Sequence, residues 1–146
     1  MNSQNENSVK VPVHFDPVLA LPALLEKFRL EQADNVALIE GTQSRTWSES
    51  IERIYRMANG LAALGIGHGD HVAMLSPNSM DYSEMFAATL ISGACAVPMQ
   101  GMITDHSLDL MLRDCNAKAF IVASDMEEMA GVFLRDCAQI VPGGLI

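Results

Sequence analysis

Apolar residues recur at helical spacing in five stretches of this chain, and short apolar runs without that spacing lie between them. Leu21, Leu24, Leu25 and Phe28 fall at i, i+3, i+4 and i+7, one face of a helix running to about Gln32, with Pro22 tolerated in its first turn. A second helix sets Ile51, Ile54, Tyr55, Ala58, Leu61 and Ala62 on one stripe and Glu52, Arg53, Arg56 and Asn59 away from it. Thr46 and Glu49 have capping-box spacing at its start, and Gly65 ends it in the left-handed conformation that glycine adopts without penalty. A third helix, capped by Asn78 or Ser79, carries Tyr82, Met85, Phe86, Thr89 and Leu90 inward and stops before Gly93. Thr104 opens a fourth through Leu108, Met111 and Leu112. Ser124 and Glu127 repeat the capping-box spacing ahead of a fifth, with Met129, Val132 and Phe133 inside.

The runs between the helices read as strands. Val36 to Glu40, turn chemistry at Gly41 to Ser44, and Arg45 to Trp47 make a small hairpin. His71 to Leu75, Cys95 to Met99 and Lys118 to Ala123 are apolar without strict alternation, as in strands covered on both faces, and Gln139 to Val141 suits one more. Strands alternating with helices imply parallel crossovers, so the expected fold is α/β, a three-layer sandwich with a mainly parallel sheet. Met1 to Val9, rich in Asn, Ser and Gln, is expected to be disordered, which makes residues 1–10 a tail and 11–146 the folded part.

Composition narrows the classes of partner. A chain of 146 residues fits one domain, which buries roughly 70% of its unfolded surface. Eighteen acidic residues face nine basic ones, and after residue 80 the ratio is nine to three. Phosphate backbones and anionic membranes need clustered Lys and Arg, so neither is an expected partner. Cys95, Cys115 and Cys137 are odd in number, widely spaced and set among apolar residues, which suits small core residues in a reducing, cytoplasmic setting. No basic segment followed by an apolar run precedes the first helix. Val18 to Leu25 holds Pro22 and is far short of the roughly 20 residues that span a bilayer, so no transmembrane segment is expected.

Candidate chemistry is sparse. The glycines of Gly65-Ile66-Gly67-His68-Gly69 lie between a helix end and a strand, where unpaired carbonyls repel phosphate, so they read as a turn and not as a dinucleotide loop. Ser76-Pro77-Asn78-Ser79 has the strand-into-helix polarity of a ligand site but lacks glycines or a lysine, and an N-cap with a proline-restricted turn accounts for it more simply. His14, His68, His71 and His106 are scattered, with no metal-ligand spacing. There is no G-x-S-x-G elbow, and Asp105 and Asp109 suit the start of a helix dipole better than a catalytic pair. Met80, Met85, Met99, Met102, Met111, Met126 and Met129 are read as mostly core.

Read together, several of these elements resemble one family over about Leu24 to Val122. The residues are Thr46, Trp47 and Glu49; Gly65, Ile66, Gly69, Asp70 and Val72; Pro77 and Asn78; and Gly93, Ala94, Val97 and Pro98. Their order and spacing resemble the N-terminal segment of the adenylate-forming enzymes, the acyl-CoA synthetase and ligase superfamily. Met99-Gln100-Gly101 departs from the Leu-Asn or Ile-Asn often found there. The resemblance implies a parent that attacks the α-phosphorus of ATP with a carboxylate, in the presence of Mg²⁺, and passes the acyl group to coenzyme A or another thiol.

The same resemblance implies that the phosphate machinery, a Ser/Thr/Gly-rich loop closing on a lysine and a later catalytic lysine, is supplied elsewhere. After Lys118 the sequence holds no lysine, and Gly143-Gly144 is followed only by Leu145 and Ile146. The expectation is therefore a partial N-terminal domain with no catalytic, cofactor-binding or metal residue of its own, inactive alone, truncated or one piece of a longer chain. Its expected partner is the remainder of the ligase domain, or another protein covering an open sheet edge. A free-standing α/β interaction module derived from such an enzyme is the other class of reading.

Overall fold

The computed structural model describes residues 20–99, 101 and 104–134. The tail, Met102, Cys137, Gln139 to Val141, and the side chains of Met129, Val132 and Phe133 lie outside the described residues. Helix α1 spans Leu21–Glu31, strands β1 and β2 span Val36–Glu40 and Gln43–Thr46, and helix α2 spans Trp47–Ala63. Strand β3 (His71–Leu75), helix α3 (Met80–Ile91), strand β4 (Cys95–Met99), helix α4 (Asp105–Asp114), strand β5 (Ala119–Val122) and helix α5 (Glu127–Leu134) follow.

The hairpin forms as expected, β1 antiparallel to β2 with Glu40 opposite Gln43 and an irregularity between Val36 and Leu38. The other strands make a parallel sheet in the order β4-β3-β5, His71 facing Cys95 on one side and Val72 facing Ala119 on the other. Side chains alternate across β3. Val72 and Met74 enter a core with Leu25 of α1, Ile51, Ile54, Ala58 and Leu61 of α2, and Met85 and Ala88 of α3. Ala73 and Leu75 enter a second core with Leu108 and Leu112 of α4, Phe120 and Val122 of β5, and Ala130 of α5. The result is the three-layer α/β sandwich, with β3 covered on both faces as its unbroken apolar run requires.

Local chemistry explains where α2 begins and ends. Thr46 Oγ1 accepts from the Glu49 amide, and the Glu49 carboxylate accepts from the Thr46 amide at 2.8 Å, completing the capping box. Phe28 stacks on Trp47 with centroids 4.3 Å apart, which fastens α1 to the same turn. At the far end Gly65 has φ +76°, and the chain turns back into β3. That turn is clipped to the sheet. Asp70 accepts from the Gly67 amide and from Lys118 Nζ, both at 2.8 Å, and Lys118 Nζ also donates to the Gly65 carbonyl at 2.6 Å.

Several expected positions differ. In α2, Ala62 is exposed and Met57 is buried. In α3 the buried stripe is Met80, Glu84, Met85, Ala88 and Thr89, while Leu90 is 43% exposed. A hydrophobic pattern cannot select a glutamate, so the stripe drawn from apolar residues alone was rotated. Met111 of α4 is also exposed. Ser124 makes no cap; Ser124–Met126 form a single 3-10 turn entered through Ala123. Cys95 is exposed at the start of β4 rather than part of a core, whereas its neighbours Ala94 and Ala96 pack into the first core. Cys115 is half-buried, and burial pushes its thiol pKa up.

The Asp70 clip sets a pH dependence. The hydrogen bond from Lys118 first, and then that from the Gly67 amide, hold the Asp70 carboxyl below the usual aspartate range. A carboxyl depressed in the folded state contributes stability above its unfolded value, and that contribution fades as pH falls toward the folded value. Thermal melts of the wild type and Asp70→Asn should therefore differ near neutral pH and converge in acid below the ordinary aspartate range. A difference that persists unchanged into strong acid would show that the carboxylate charge is not what the clip uses.

Candidate functional site

The parallel sheet presents its carboxyl edge at Ser76, where the chain leaves β3 and enters α3 through Pro77, Asn78 and Ser79. From β3 the chain passes to α3 on one face, whereas β4 and β5 lead to α4 and α5 on the other. Neighbouring strands whose helices depart to opposite faces leave a crevice, the usual ligand position in open α/β folds. Here a crevice opens on each side of the elbow. One, of about 570 Å³, has Ser76 and Tyr82 on one wall and Ile121 to Asp125 on the other, with Met57, Met74 and Met85 lining its interior. The other, of about 630 Å³, lies between Ser76, Asn78 and Tyr82 and the Pro98, Met99 and Gly101 end of β4, closed by Met126.

The amides at the start of α3 are the natural phosphate donors of such an elbow. This protein satisfies them internally. Ser79 Oγ accepts from the Tyr82 amide at 3.0 Å, as a serine cap should, and Glu40 at the end of β1 reaches over to accept from the Met80 amide at 2.8 Å. Asp81 stands in the first turn as well. The Ser79 cap forms as the sequence suggests, and the carboxylates of Glu40 and Asp81 stand at the positive end of the helix.

Behind the elbow lies the one feature that periodicity did not reveal. Glu84 is 1% exposed, and its carboxylate accepts from Ser50 Oγ at 2.9 Å, Arg45 Nη1 at 2.8 Å and Arg53 Nε at 2.6 Å. The same guanidiniums reach Asp81, Arg45 at 2.8 Å and Arg53 at 2.7 Å. Two cations, two carboxylates and a hydroxyl thus join β2, α2 and α3, and no buried side-chain polar atom among the described residues lacks a partner.

The remaining candidates stay apart. No group of three His, Cys, Asp or Glu among the described residues is placed to hold a metal. His71 lies 2.6 Å from the Cys115 carbonyl through Nδ1, and since a carbonyl only accepts, that nitrogen carries the proton. Asp109 pairs with Arg113 on α4, a solvated ion pair. Asp70 is the turn clip described above.

With this geometry in place, similarity to known proteins resolves the class. The profile of the AMP-binding enzyme family matches residues 25–141. The chain is 34% identical over 104 residues to a probable CoA ligase of Humulus lupulus, covering 70% of this chain and 20% of that one. It is 33% identical over 108 residues to a feruloyl-CoA synthase of Amycolatopsis, covering 74% and 22%. An anthranilate CoA ligase bound to anthranoyl-AMP has the same fold, with TM-score 0.78 at 21% identity over 86% of this chain and 24% of that one. The N-terminal domain of FACL13 from Mycobacterium tuberculosis superposes with TM-score 0.73 at 27% identity over 88% and 33%. An α/β domain of the ligase type is thus the class, and the chain belongs to the family of AMP-binding enzymes, the adenylate-forming superfamily. It spans about a fifth of the length of the relatives just named.

The Glu84 cluster predicts a large cost for its removal. Breaking a buried ion pair from one side costs about 3–5 kcal/mol when the partners are buried too. Because both guanidiniums are part-exposed, Glu84→Ala should lose about 2–4 kcal/mol in urea denaturation. A loss within the ordinary surface range would mean that the arginines rehydrate freely and that the hub is not a structural anchor. For the elbow, Glu40→Ala should cost about 1 kcal/mol through the lost cap. Millimolar ATP with Mg²⁺ should leave the wild-type melting temperature unchanged, and a rise would return the elbow to the nucleotide reading.

Proposed function

We propose that this chain is the N-terminal scaffold portion of an ATP-dependent acid-thiol ligase, residues 11–146 forming part of its large α/β domain. The parent activates a carboxylic acid as an acyl adenylate and transfers the acyl group to coenzyme A, using ATP and Mg²⁺. Family membership across residues 25–141 carries this reading. It is supported by relatives named as CoA ligases and by the motif residues from Thr46 to Pro98, all of which fall inside the matched span.

The duties of those residues are structural in this fold. Thr46 and Glu49 cap α2, Gly65 and Asp70 build the turn, Val72 and Val97 fill strands, and Pro77 with Asn78 forms the elbow. None presents donors to a triphosphate, and phosphoryl chemistry needs preorganised donors and metal around the phosphates. The 146-residue polypeptide alone is therefore a floor without the phosphate grip, and it catalyses no adenylation. No helix among the described residues is long and apolar enough to cross a membrane. The cysteine pattern is consistent with a reducing cytoplasm.

The test pairs a genetic observation with an assay. The reading frame should continue past Ile146 into a Ser/Thr/Gly-rich loop closing on lysine. The extended protein should catalyse carboxylate-dependent ATP–pyrophosphate exchange while the 146-residue chain gives only the blank rate. Exchange by the short chain would overturn its inertness, and a stop codon directly after Ile146 would favour the free-standing interaction module.

A further inference from the structure

The crevice of about 570 Å³ lies between the carboxyl ends of β3 and β5 under α2 and α3, so both of its strand walls and both of its helix walls belong to this chain. Its volume is in the range of cavities that take one small organic molecule. Met57, Met74 and Met85 are buried and give it a polarisable floor that moulds to ligands of differing shape. Tyr82 supplies a wall of another kind. Its ring is half-buried, stands against Phe86 with centroids 6.4 Å apart, and borders the crevice on the other side of the elbow as well.

Charge in the lining is one-sided. Glu40, Asp81 and Asp125 face a single cation, Arg53, whose guanidinium is already held by Glu84 at 2.6 Å and by Asp81 at 2.7 Å. Two of the three carboxylates are engaged, Glu40 by the Met80 amide and Asp81 by Arg45 and Arg53. Asp125 is exposed and has no hydrogen-bond or ion-pair partner among the described residues. A free carboxylate, an aromatic face and an apolar floor are the three groups that recognise an organic ammonium ion. The carboxylate meets the charge, the negative face of the ring attracts it, and the floor takes the alkyl or aryl part. The surplus of carboxylate opposes an anion of the same size.

We propose that this crevice is a binding site for a small organic ammonium ion, an alkyl- or arylammonium whose charged nitrogen meets Asp125 and the Tyr82 ring and whose apolar part lies over the three methionines. The proposal goes beyond the ligase reading and does not depend on it, since every group it uses belongs to this chain.

The probe is benzyltrimethylammonium, titrated into the 146-residue chain by calorimetry and followed through the methionine methyl resonances, with 3-phenylpropionate as an anion of similar size. The ammonium should saturate and shift the methyl signals of Met57, Met74 and Met85, and the propionate should bind about tenfold more weakly or not at all. Asp125→Asn should weaken the ammonium about threefold to tenfold, and Tyr82→Leu about threefold or more. Asp109→Asn, which removes the same unit of charge from α4, should leave binding unchanged. Asp125 is exposed, so its variant reports on the site even if Tyr82→Leu unsettles the fold, which a thermal melt would show. Binding should persist in a protein extended past Ile146. No saturable binding, equal binding of the propionate, an Asp125 variant no weaker than Asp109→Asn, or loss of binding in the extended protein would overturn the proposal. Pyrophosphate exchange by the extended protein is read separately, so the ammonium site and the ligase reading can each fail alone.

Discussion

A single buried carboxylate organises one half of this molecule. Glu84 sits among apolar side chains of α3, where an unpaired charge would be expelled or neutralised, and it persists because Ser50, Arg45 and Arg53 surround it. These donors come from β2 and α2, so the hairpin, the long helix and the elbow helix share one electrostatic knot. Ion pairs of this kind add little net stability over a well-packed apolar core, but they are directional. In this fold the direction matters, because the knot sets how α3 leans against α2 and therefore where its N-terminus meets the sheet.

That N-terminus is where a nucleotide enzyme of this topology would be examined first. The crevices on either side of the elbow are real, yet the amides that a phosphate would need are held by Ser79 and by Glu40 arriving from the hairpin. The hairpin thus has a purpose that neither of its strands reveals: it carries a carboxylate to the positive end of a helix.

The charge balance fits the same picture. Three basic side chains cross between elements to carboxylates of this acidic chain, Arg45 and Arg53 to Glu84 and Lys118 to Asp70. The clip at Gly65 to Asp70 closes one end of the sheet, and the Glu84 knot secures the helices beside it.

Wherever local chemistry suffices, the amino-acid order settled the outcome. The Thr46 and Glu49 box, the Gly65 turn, the Ser79 cap and the apolar runs of β3, β4 and β5 follow from neighbours within a few residues, and the α/β sandwich follows from their alternation. What the order of residues could not determine is which partners meet across space. Glu84 turns inward and Leu90 outward because three donors distant in sequence satisfy a buried charge, and Glu40 caps a helix from forty residues away. Those outcomes depend on contacts between elements, and hydrophobic periodicity carries no information about a polar group whose partners arrive only on folding.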